Sequence, residues 1–191
     1  AGEYRLRKVK VLAGKKTKET IHHENGISLK LDLEKTYFSA RLAHERLRIA
    51  QLVKPHEEVL VMFSGAAPYP LVIARNSKAK MISGIEINPE AHQYALQNVI
   101  LNHFEKKIVI YEGDVYKVLP RLNKKFDRIV MPLPKTSNDF LNVALTKAKK
   151  GTIIHFYTFA REDDIPTIGK EIKAACVKYK HSVRILRAVK C

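Results

Sequence analysis

Residues 58–102, EVLVMFSGAAPYPLVIARNSKAKMISGIEINPEAHQYALQNVILN, contain two apolar runs, each followed by a turn and a helical pattern. The first run, 58–63, leads into a turn of small residues and a short helical pattern. The second run, 81–87, leads into Asn88-Pro89, which favours the start of a helix because Asn caps free N–H groups and Pro needs no hydrogen bond there. Continuous apolar strands that alternate with helices predict a parallel sheet covered on both faces.

The alternation continues on both sides of this stretch. Upstream, apolar residues recur at helical spacing over residues 39–53, and Lys54-Pro55 ends the pattern. Downstream, the pattern predicts strands at 107–113, 127–131 and 152–159, helices from Ser137 and across 167–179, and a strand at 182–189. We therefore predict a doubly wound, Rossmann-like α/β domain over residues 37–191, which binds its ligand at the carboxyl ends of the strands.

Residues 1–36 show a different pattern. EYRLRKVKVLAG (3–14) and ISLKLDLEKTYF (27–38) alternate apolar with charged residues, which is typical of half-exposed strands. The segment between them, 14–26, has the polar, glycine-bounded composition of a loop or a short extra strand. We predict a small β unit, residues 1–36, ahead of the main domain.

The charge balance is the most unusual feature of the composition. The 191 residues include 35 Lys and Arg against 19 Asp and Glu, which gives a formal net charge of +16. A surface this basic attracts polyanions, and nucleic acid is the commonest such partner of a soluble protein. A lysine-rich surface can also serve solubility alone.

Several other classes of protein are disfavoured. No apolar run approaches the roughly 18 residues that a membrane-spanning helix needs, and no signal-peptide pattern is present. Cys176 and Cys191 provide neither a disulfide framework nor metal-ligand spacing. The eight histidines show no metal-ligand spacing either. We expect a cytoplasmic, monomeric protein that folds without a metal.

Small and acidic residues follow three successive strands of the predicted sheet. Gly65 lies in the turn after the first strand, Glu86 lies at the end of the second, and Asp114 follows the third. An acid at the position of Glu86 can accept hydrogen bonds from ribose hydroxyls, and Asp114 can accept from an adenine amino group. Taken alone, a strand-end acid such as Glu86 is equally typical of a solvated surface.

The turn after the first strand also restricts the cofactor. It lacks the G-x-G-x-x-G pattern that brings a pyrophosphate onto a helix N-terminus, because only Gly65 of that set is present. A cofactor without pyrophosphate, such as S-adenosylmethionine, therefore fits better than a nicotinamide cofactor. The residues that we expect to bind it are Phe63, Gly65, Glu86, Ile87, Asn88, Asp114, Val115 and Pro132.

The predicted helix 39–53 carries Arg41, Glu45 and Arg48 on one polar face, at i, i+4 and i+7. By spacing alone, Glu45 is more typical of a surface ion pair than of a catalytic base. The same face could instead turn Glu45 towards the mouth of the cofactor site.

Most of the chain resembles one enzyme family. The segments that carry the resemblance are TYFSARLAHERLRIAQLVKPHEEVLVMFSGAAPYPLVIA (36–74), GIEINPEAHQYALQNVILN (84–102), EGDV (112–115) and FDRIVMPLPK (126–135). They are similar to the tRNA (guanine-37-N1)-methyltransferases and the related wybutosine-pathway aminocarboxypropyl transferases. Residues 4–26 resemble the small β domain that precedes catalysis in the same family.

The resemblance implies a Rossmann-type methyltransferase that uses S-adenosylmethionine to methylate N1 of guanosine 37 in tRNA. N1 of guanine carries a proton that must leave as the methyl group arrives, so the reaction needs a base. In the family, a Glu of the "ER" motif takes that proton and an Arg of the β domain contacts the guanine. These map to Glu45 and to Arg5, with Arg7 a possible substitute. The Tyr of the "YFS" motif is Tyr37, which we expect to order the cofactor or the target base.

Three positions depart from the family pattern. Val61 replaces an acid at the end of the first strand, Ala67 replaces the second Gly of the turn, and Pro132 replaces an Asn. These departures leave two alternatives open beside the methyltransferase. One is aminocarboxypropyl transfer from the same cofactor, and the other is an RNA-binding protein that has lost its activity.

Overall fold

The computed structural model describes residues 6–132 and 137–190, which form a hairpin, a five-stranded sheet and six α-helices within those limits. The strands are β1 (Glu19–Glu24), β2 (Ile27–Asp32), β3 (Glu58–Met62), β4 (Met81–Glu86), β5 (Ile108–Glu112), β6 (Phe126–Met131) and β7 (Ala148–Phe156). The helices are α1 (Ala43–Leu52), α2 (Pro68–Asn76), α3 (Pro89–Leu101), α4 (Val115–Arg121), α5 (Ser137–Thr146) and α6 (Ile165–Lys178). Short 3-10 turns at Ala40–Leu42 and Glu162–Asp164 precede α1 and α6.

The main sheet is parallel, with the strand order β5-β4-β3-β6-β7. Its three inner strands are mostly apolar because both faces of the sheet are covered, although β6 also contains Asp127 and Arg128. The chain reverses its direction of winding between β3 and β6, and such a switch point opens a crevice at the carboxyl ends of the strands. The predicted doubly wound, Rossmann-like fold is confirmed.

Two apolar cores lie on opposite faces of the sheet. One contains the inward side chains of α2 and α3, and the other contains those of α4 and α5 together with Cys176 of α6. β2 buries Ile27, Leu29 and Leu31 in the first core, so the hairpin packs directly on the helical layer of the main domain. No helix in the described part of the chain is long and apolar enough to cross a membrane.

Asn98 of α3 fastens the hairpin to the turn after β3. Its side chain accepts from the N–H of Lys30 at 2.7 Å and donates to the carbonyl of Lys30 at 2.9 Å, which pairs it with the open edge of β2. It also donates to the carbonyl of Ala66 at 3.1 Å. Because Asn98 is fully buried, these bonds satisfy polar groups that no water reaches. The hairpin, α3 and the candidate cofactor turn therefore hold one another in place.

Three sequence-based expectations about secondary structure were wrong. Residues 6–12 form no strand, and β1 lies instead in the segment expected to be a loop or a short extra strand. Residues 182–190 carry no regular secondary structure and pair with no strand of the sheet, and Ile185 lies against α6, where a Cβ on Gly169 would be 3.1 Å from it. Helix α4 was not predicted, since it is only seven residues long and contains Pro120. An alternating pattern becomes a strand only where a partner strand accepts its hydrogen bonds.

Candidate cofactor and base site

The turn after β3 alternates between left-handed and ordinary backbone. Phe63, Gly65 and Ala67 have φ angles of +59°, +56° and +70°. Glycine adopts this conformation without a steric penalty, whereas it costs about 1–2 kcal/mol at the other two positions. The turn points the N–H of Gly65 at Glu86, and the main chain of Tyr37 passes close to Gly65. Of these three residues, only Gly65 therefore adopts the path of the backbone without strain.

Glu86 is the centre of this strand-end region. One of its carboxylate oxygens accepts from the N–H of Gly65 at 2.6 Å, and the other accepts from the N–H of Asn88 at 2.8 Å. Burial raises the pKa of Glu86, although backbone hydrogen bonds from Asn88, Gly65 and Ile87 act in the opposite direction. Three backbone N–H groups occupy three of the roughly four acceptor sites of the carboxylate, so Glu86 can still accept from a ligand at the remaining site.

Asp114 and Asn88 flank Glu86. The N–H of Gly113 donates to the carbonyl of Glu86 at 2.8 Å, which brings Asp114 beside it. Asp114 caps α4 by accepting from the N–H of Tyr116 at 2.8 Å. The side chain of Asn88 accepts from the N–H of Glu90 and donates to the carbonyl of Lys35, so it caps α3 and holds the hairpin side of the site.

The remaining predicted cofactor residues contribute in different ways. Ile87 is exposed, Val115 is buried in the core on the α4 side, and Pro132 is half-buried directly after β6. The ring of Phe63 meets Phe140 edge-on at 4.8 Å, and Phe140 lies 5.0 Å from the ring of Tyr116. Sequence reasoning did not assign Tyr116 and Phe140 to the site, because aromatic residues on helices read as ordinary core positions.

Glu45 lies on α1 as half of a buried ion pair. Its side chain is 7% exposed and receives both arms of the Arg48 guanidinium, at 2.6 Å and 2.8 Å. The hydroxyl of Tyr157, just after β7, donates to the same carboxylate at 2.5 Å. The ion pair expected from spacing is present with Arg48, whose side chain is 30% exposed, while the Glu45 carboxylate is buried.

The surroundings of Glu45 keep it ionised. Burial alone would raise the pKa of its carboxyl, but the hydrogen bonds from Arg48 and Tyr157 outweigh burial and hold the pKa below its ordinary value. His155 on β7 lies close by, and burial together with Arg128 and Arg48 lowers the pKa of His155 to about 4. At neutral pH, this region therefore combines a carboxylate, a guanidinium and a neutral imidazole.

The predicted catalytic residues line two separate cavities. Glu45 lines one of about 150 Å³, together with Arg41, Leu42, His44, Arg48, Val189 and Lys190. Tyr37 and Arg7 line a second of about 200 Å³, together with Val9, Leu33, Thr36 and Phe38. Arg5 lies outside the described residues. The structure thus brings Tyr37 and Arg7 together, and it places Glu45 in a different cavity.

The described residues contain no group of three or more side chains that could hold a metal ion. The site's polar groups are instead carboxylates, backbone N–H groups and guanidinium groups at the strand ends and on α1. This set suits the binding of a nucleoside-containing ligand, and its carboxylates can also accept a proton.

Residues 20–186 match the family model described as the TRM5/TYW2 methyltransferase domain. The chain belongs to this family. The resemblance that the sequence motifs indicated is confirmed. The family includes proteins whose names describe two kinds of group transfer.

Three curated relatives show the range of the TRM5/TYW2 family. The chain is 41% identical, over 85% of its length, to the tRNA (guanine(37)-N(1))-methyltransferase Trm5b of Pyrococcus abyssi. It is 38% identical, over 98% of its length, to the tRNA 4-demethylwyosine(37)-methyltransferase Taw21 of Saccharolobus solfataricus, and covers 71% of it. It is 36% identical, over 99% of its length, to the tRNA(Phe) (4-demethylwyosine(37)-C(7)) aminocarboxypropyltransferase of Pyrococcus horikoshii, and covers 67% of it. The chain spans about half, 47%, of the Trm5b relative.

Solved structures agree with the family assignment. The crystal structure of P. abyssi Trm5b matches with a TM-score of 0.81 and 37% identity, over 88% of this chain and 49% of that one. The structure of P. horikoshii TYW2 in complex with MeSAdo matches with a TM-score of 0.84 and 32% identity, over 93% of this chain and 66% of that one.

Proposed function

We propose that this protein is an S-adenosylmethionine-dependent tRNA methyltransferase that transfers a methyl group to N1 of guanosine 37. The observation that carries the proposal is the Glu45 carboxylate, which is held ionised by Arg48 and Tyr157 and lines an open cavity. N1 methylation requires a proton acceptor, which plain RNA binding does not, and an ionised carboxylate can serve as that acceptor.

The cofactor would lie at the carboxyl ends of β3, β4 and β5. Glu86 would accept from the ribose hydroxyls, Asp114 from the adenine amino group, and the aromatic rings of Phe63, Tyr116 and Phe140 would supply an apolar wall. The bound cofactor supplies an electrophilic methyl group on a sulfonium sulfur. Relatives whose names describe methyl transfer at position 37 of tRNA support methyl transfer as the reaction.

The protein's own part in the chemistry is to move one proton. When guanine N1 accepts the methyl group, its proton would pass to a free acceptor site of Glu45. Arg48 would stay paired with the carboxylate on one side, and Arg7 and Tyr37, which line the second cavity, would contact the cofactor or the target base from that side. Arg5 remains a proposed guanine contact, within the N-terminal β unit of residues 1–36.

The distribution of charge supports an RNA substrate. Residues 6–18 contain six Lys or Arg and no acid, and residues 165–190 contain seven Lys or Arg with Glu171 as the single acid. The first segment lines the cavity beside Tyr37, and the end of the second lines the cavity beside Glu45. Both basic segments therefore flank the proposed target base, where phosphate groups would be neutralised.

Replacing Glu86 with Ala should weaken binding of S-adenosylmethionine by about 1–3 kcal/mol, the usual scale for hydrogen bonds to a charged group. Calorimetric titration gives the dissociation constant directly. Glu112→Gln is the matched control, because Glu112 lies opposite Glu86 in the β4–β5 ladder and is half exposed, and this variant should bind as the wild type does.

A comparison of two ligands shows whether Glu86→Ala weakens binding by losing a contact to the ribose or by disturbing the turn after β3. Wild-type protein should bind adenosine more tightly than 2′-deoxyadenosine, and the Glu86→Ala variant should lose that preference. Equal dissociation constants for the variant and the wild type would remove Glu86 from the cofactor site.

The reaction itself is tested by mass spectrometry of nucleosides from tRNA incubated with protein and cofactor. We expect 1-methylguanosine at position 37, and no product when guanosine 37 is replaced by adenosine. The main rival is aminocarboxypropyl transfer, because a relative named for that reaction is 36% identical over 99% of the chain and because Pro132 replaces the Asn of the methyltransferase pattern. An aminocarboxypropyl adduct on 4-demethylwyosine would establish that reaction instead. Absence of both product and cofactor binding would leave an RNA-binding protein without activity.

A further inference from the structure

Tyr157 joins three elements at the candidate base. It follows the end of β7, accepts a hydrogen bond from the hydroxyl of Tyr69 on α2 at 3.1 Å, and donates to Glu45 on α1 at 2.5 Å. The rings of Tyr69 and Tyr157 meet edge-on at 6.3 Å. Tyr157 is half-buried and packs against the core on the α1 to α3 side. The hydroxyl therefore has a fixed position.

The hydrogen bonds divide the two oxygens of Glu45 unequally. Oε1 accepts from both Tyr157 and Nη2 of Arg48, whereas Oε2 accepts from Nε of Arg48 only. A carboxylate offers about four acceptor sites in total, two on each oxygen. Among the described residues, Oε1 is therefore saturated and Oε2 keeps one site free. The hydroxyl of Tyr157 thus occupies the second acceptor site of Oε1.

We propose that Tyr157 is a positioning residue that fixes the Glu45 carboxylate as an anion and leaves Oε2 as its proton acceptor; this inference rests on the base role proposed for Glu45. Burial raises the pKa of the Tyr157 hydroxyl. In the folded protein at neutral pH, the hydroxyl therefore stays protonated and remains a donor. The hydrogen bond from Tyr69 polarises that hydroxyl and strengthens its donation.

The titration of Glu45 depends on the charged and titratable groups around it in the described part of the chain. Arg48 on α1 and Tyr157 after β7 bond the carboxylate, and His155 on β7 faces it from the sheet. Arg41, His44 and Lys190 line the same cavity. These side chains are all kept in Tyr157→Phe. His155, whose pKa is lowered to about 4, gains charge in the same acidic range in both proteins, so the lost hydrogen bond is measured as the difference between the wild-type and variant midpoints.

The experiment follows Glu45 by ¹³C NMR of protein with labelled glutamate carboxyls, assigned through its loss in Glu45→Gln. Tyr157→Phe should raise the titration midpoint of Glu45 by about one to two pH units, because a hydrogen bond to the ionised form is lost. The acidic limb of the single-turnover pH profile should move upward by the same amount. Tyr69→Phe should produce a smaller shift in the same direction, which keeps the test available if Tyr157→Phe does not fold.

Tyr94→Phe is the matched control. Tyr94 also donates to a glutamate, Glu19, at 2.5 Å, but this pair joins α3 to the hairpin. Its loss should leave the Glu45 titration unchanged. An unmoved midpoint in folded Tyr157→Phe, or in Tyr69→Phe if the first variant does not fold, would overturn the inference. A shifted midpoint combined with wild-type activity of Glu45→Gln would instead uphold the Tyr157 contact and refute the proposed base.

Discussion

Replacing Glu45 with Gln is expected to lower the single-turnover rate of methyl transfer by about 10²–10⁴-fold, the usual contribution of a positioned base. Gln keeps the size of the side chain and can still accept from Arg48 and Tyr157, but it cannot take the N1 proton. Affinity for S-adenosylmethionine should change little, because Glu86 and Asp114 lie at the strand ends and Glu45 contacts neither. Rapid-quench kinetics with saturating cofactor measures the rate.

The pH dependence gives an independent check on the same group. The pKa of Glu45 is lowered in the folded protein, so the base is ionised above that value and becomes protonated as the pH falls through it. The wild-type rate should therefore rise with pH only in the acidic range below the ordinary pKa of glutamate. The Gln variant should show no such rise.

A control variant distinguishes the base from a general effect of lost charge. Glu90→Gln removes a half-exposed carboxylate that pairs with Lys35 near the same edge of the sheet, and it should retain the wild-type rate. If Glu45→Gln transferred methyl groups as fast as the wild type, Glu45 would be a structural partner of Arg48 and another base would have to be found.

The sheet and the strand-end acids were predictable because their signals are local. A strand buried on both faces has to be an apolar run, and the residues that follow such runs necessarily share one edge of a parallel sheet. Gly65, Glu86 and Asp114 could thus be grouped without any knowledge of contacts. The structure confirms the fold, and it shows that Glu86 also fixes the turn through Gly65 and Asn88.

The base region was only partly predictable because its contacts are distant in sequence. Glu45 and Tyr157 are 112 residues apart, and no spacing rule connects them. The N-terminal strand was misplaced for a related reason. Residues 6–12 alternate apolar with charged residues, and residues 19–24 also contain strand-forming residues. Only the turn at Asn25-Gly26, with φ angles of +46° and +78°, selects residues 19–24 as the partner of β2.

The environment of Arg46 was also not predictable from the sequence, because its partners are distant along the chain. A charged residue on an amphipathic helix normally faces water, yet Arg46 is among the largest fully buried side chains of the described structure. It donates to Glu24 of β1 at 2.5 Å and 2.6 Å and to the carbonyl of Ser39 at 3.1 Å. The guanidinium also lies 5.0 Å from the centre of the Phe38 ring. The ion pair therefore fastens the hairpin to the helix that carries Glu45.

Replacing Glu24 with Ala is expected to lower the free energy of unfolding by about 3–5 kcal/mol, because it leaves the Arg46 charge buried without a partner. Denaturant-induced unfolding measures the loss. Glu34→Ala is the matched control: Glu34 pairs with Lys18 in the same N-terminal unit, but both side chains are partly exposed, so we expect a much smaller loss.

The double variant Glu24→Leu/Arg46→Met tests the cause of that loss. Removing both charges avoids the unpaired guanidinium, so the double variant should be more stable than Glu24→Ala even though it lacks the ion pair. The hairpin would then pack through apolar contacts alone, with Ile27, Leu29 and Leu31 still in the core. If Glu24→Ala cost no more than Glu34→Ala, the Arg46 guanidinium would have to reach water when Glu24 is absent. The hairpin would then be held by its apolar face and by Asn98, not by the ion pair.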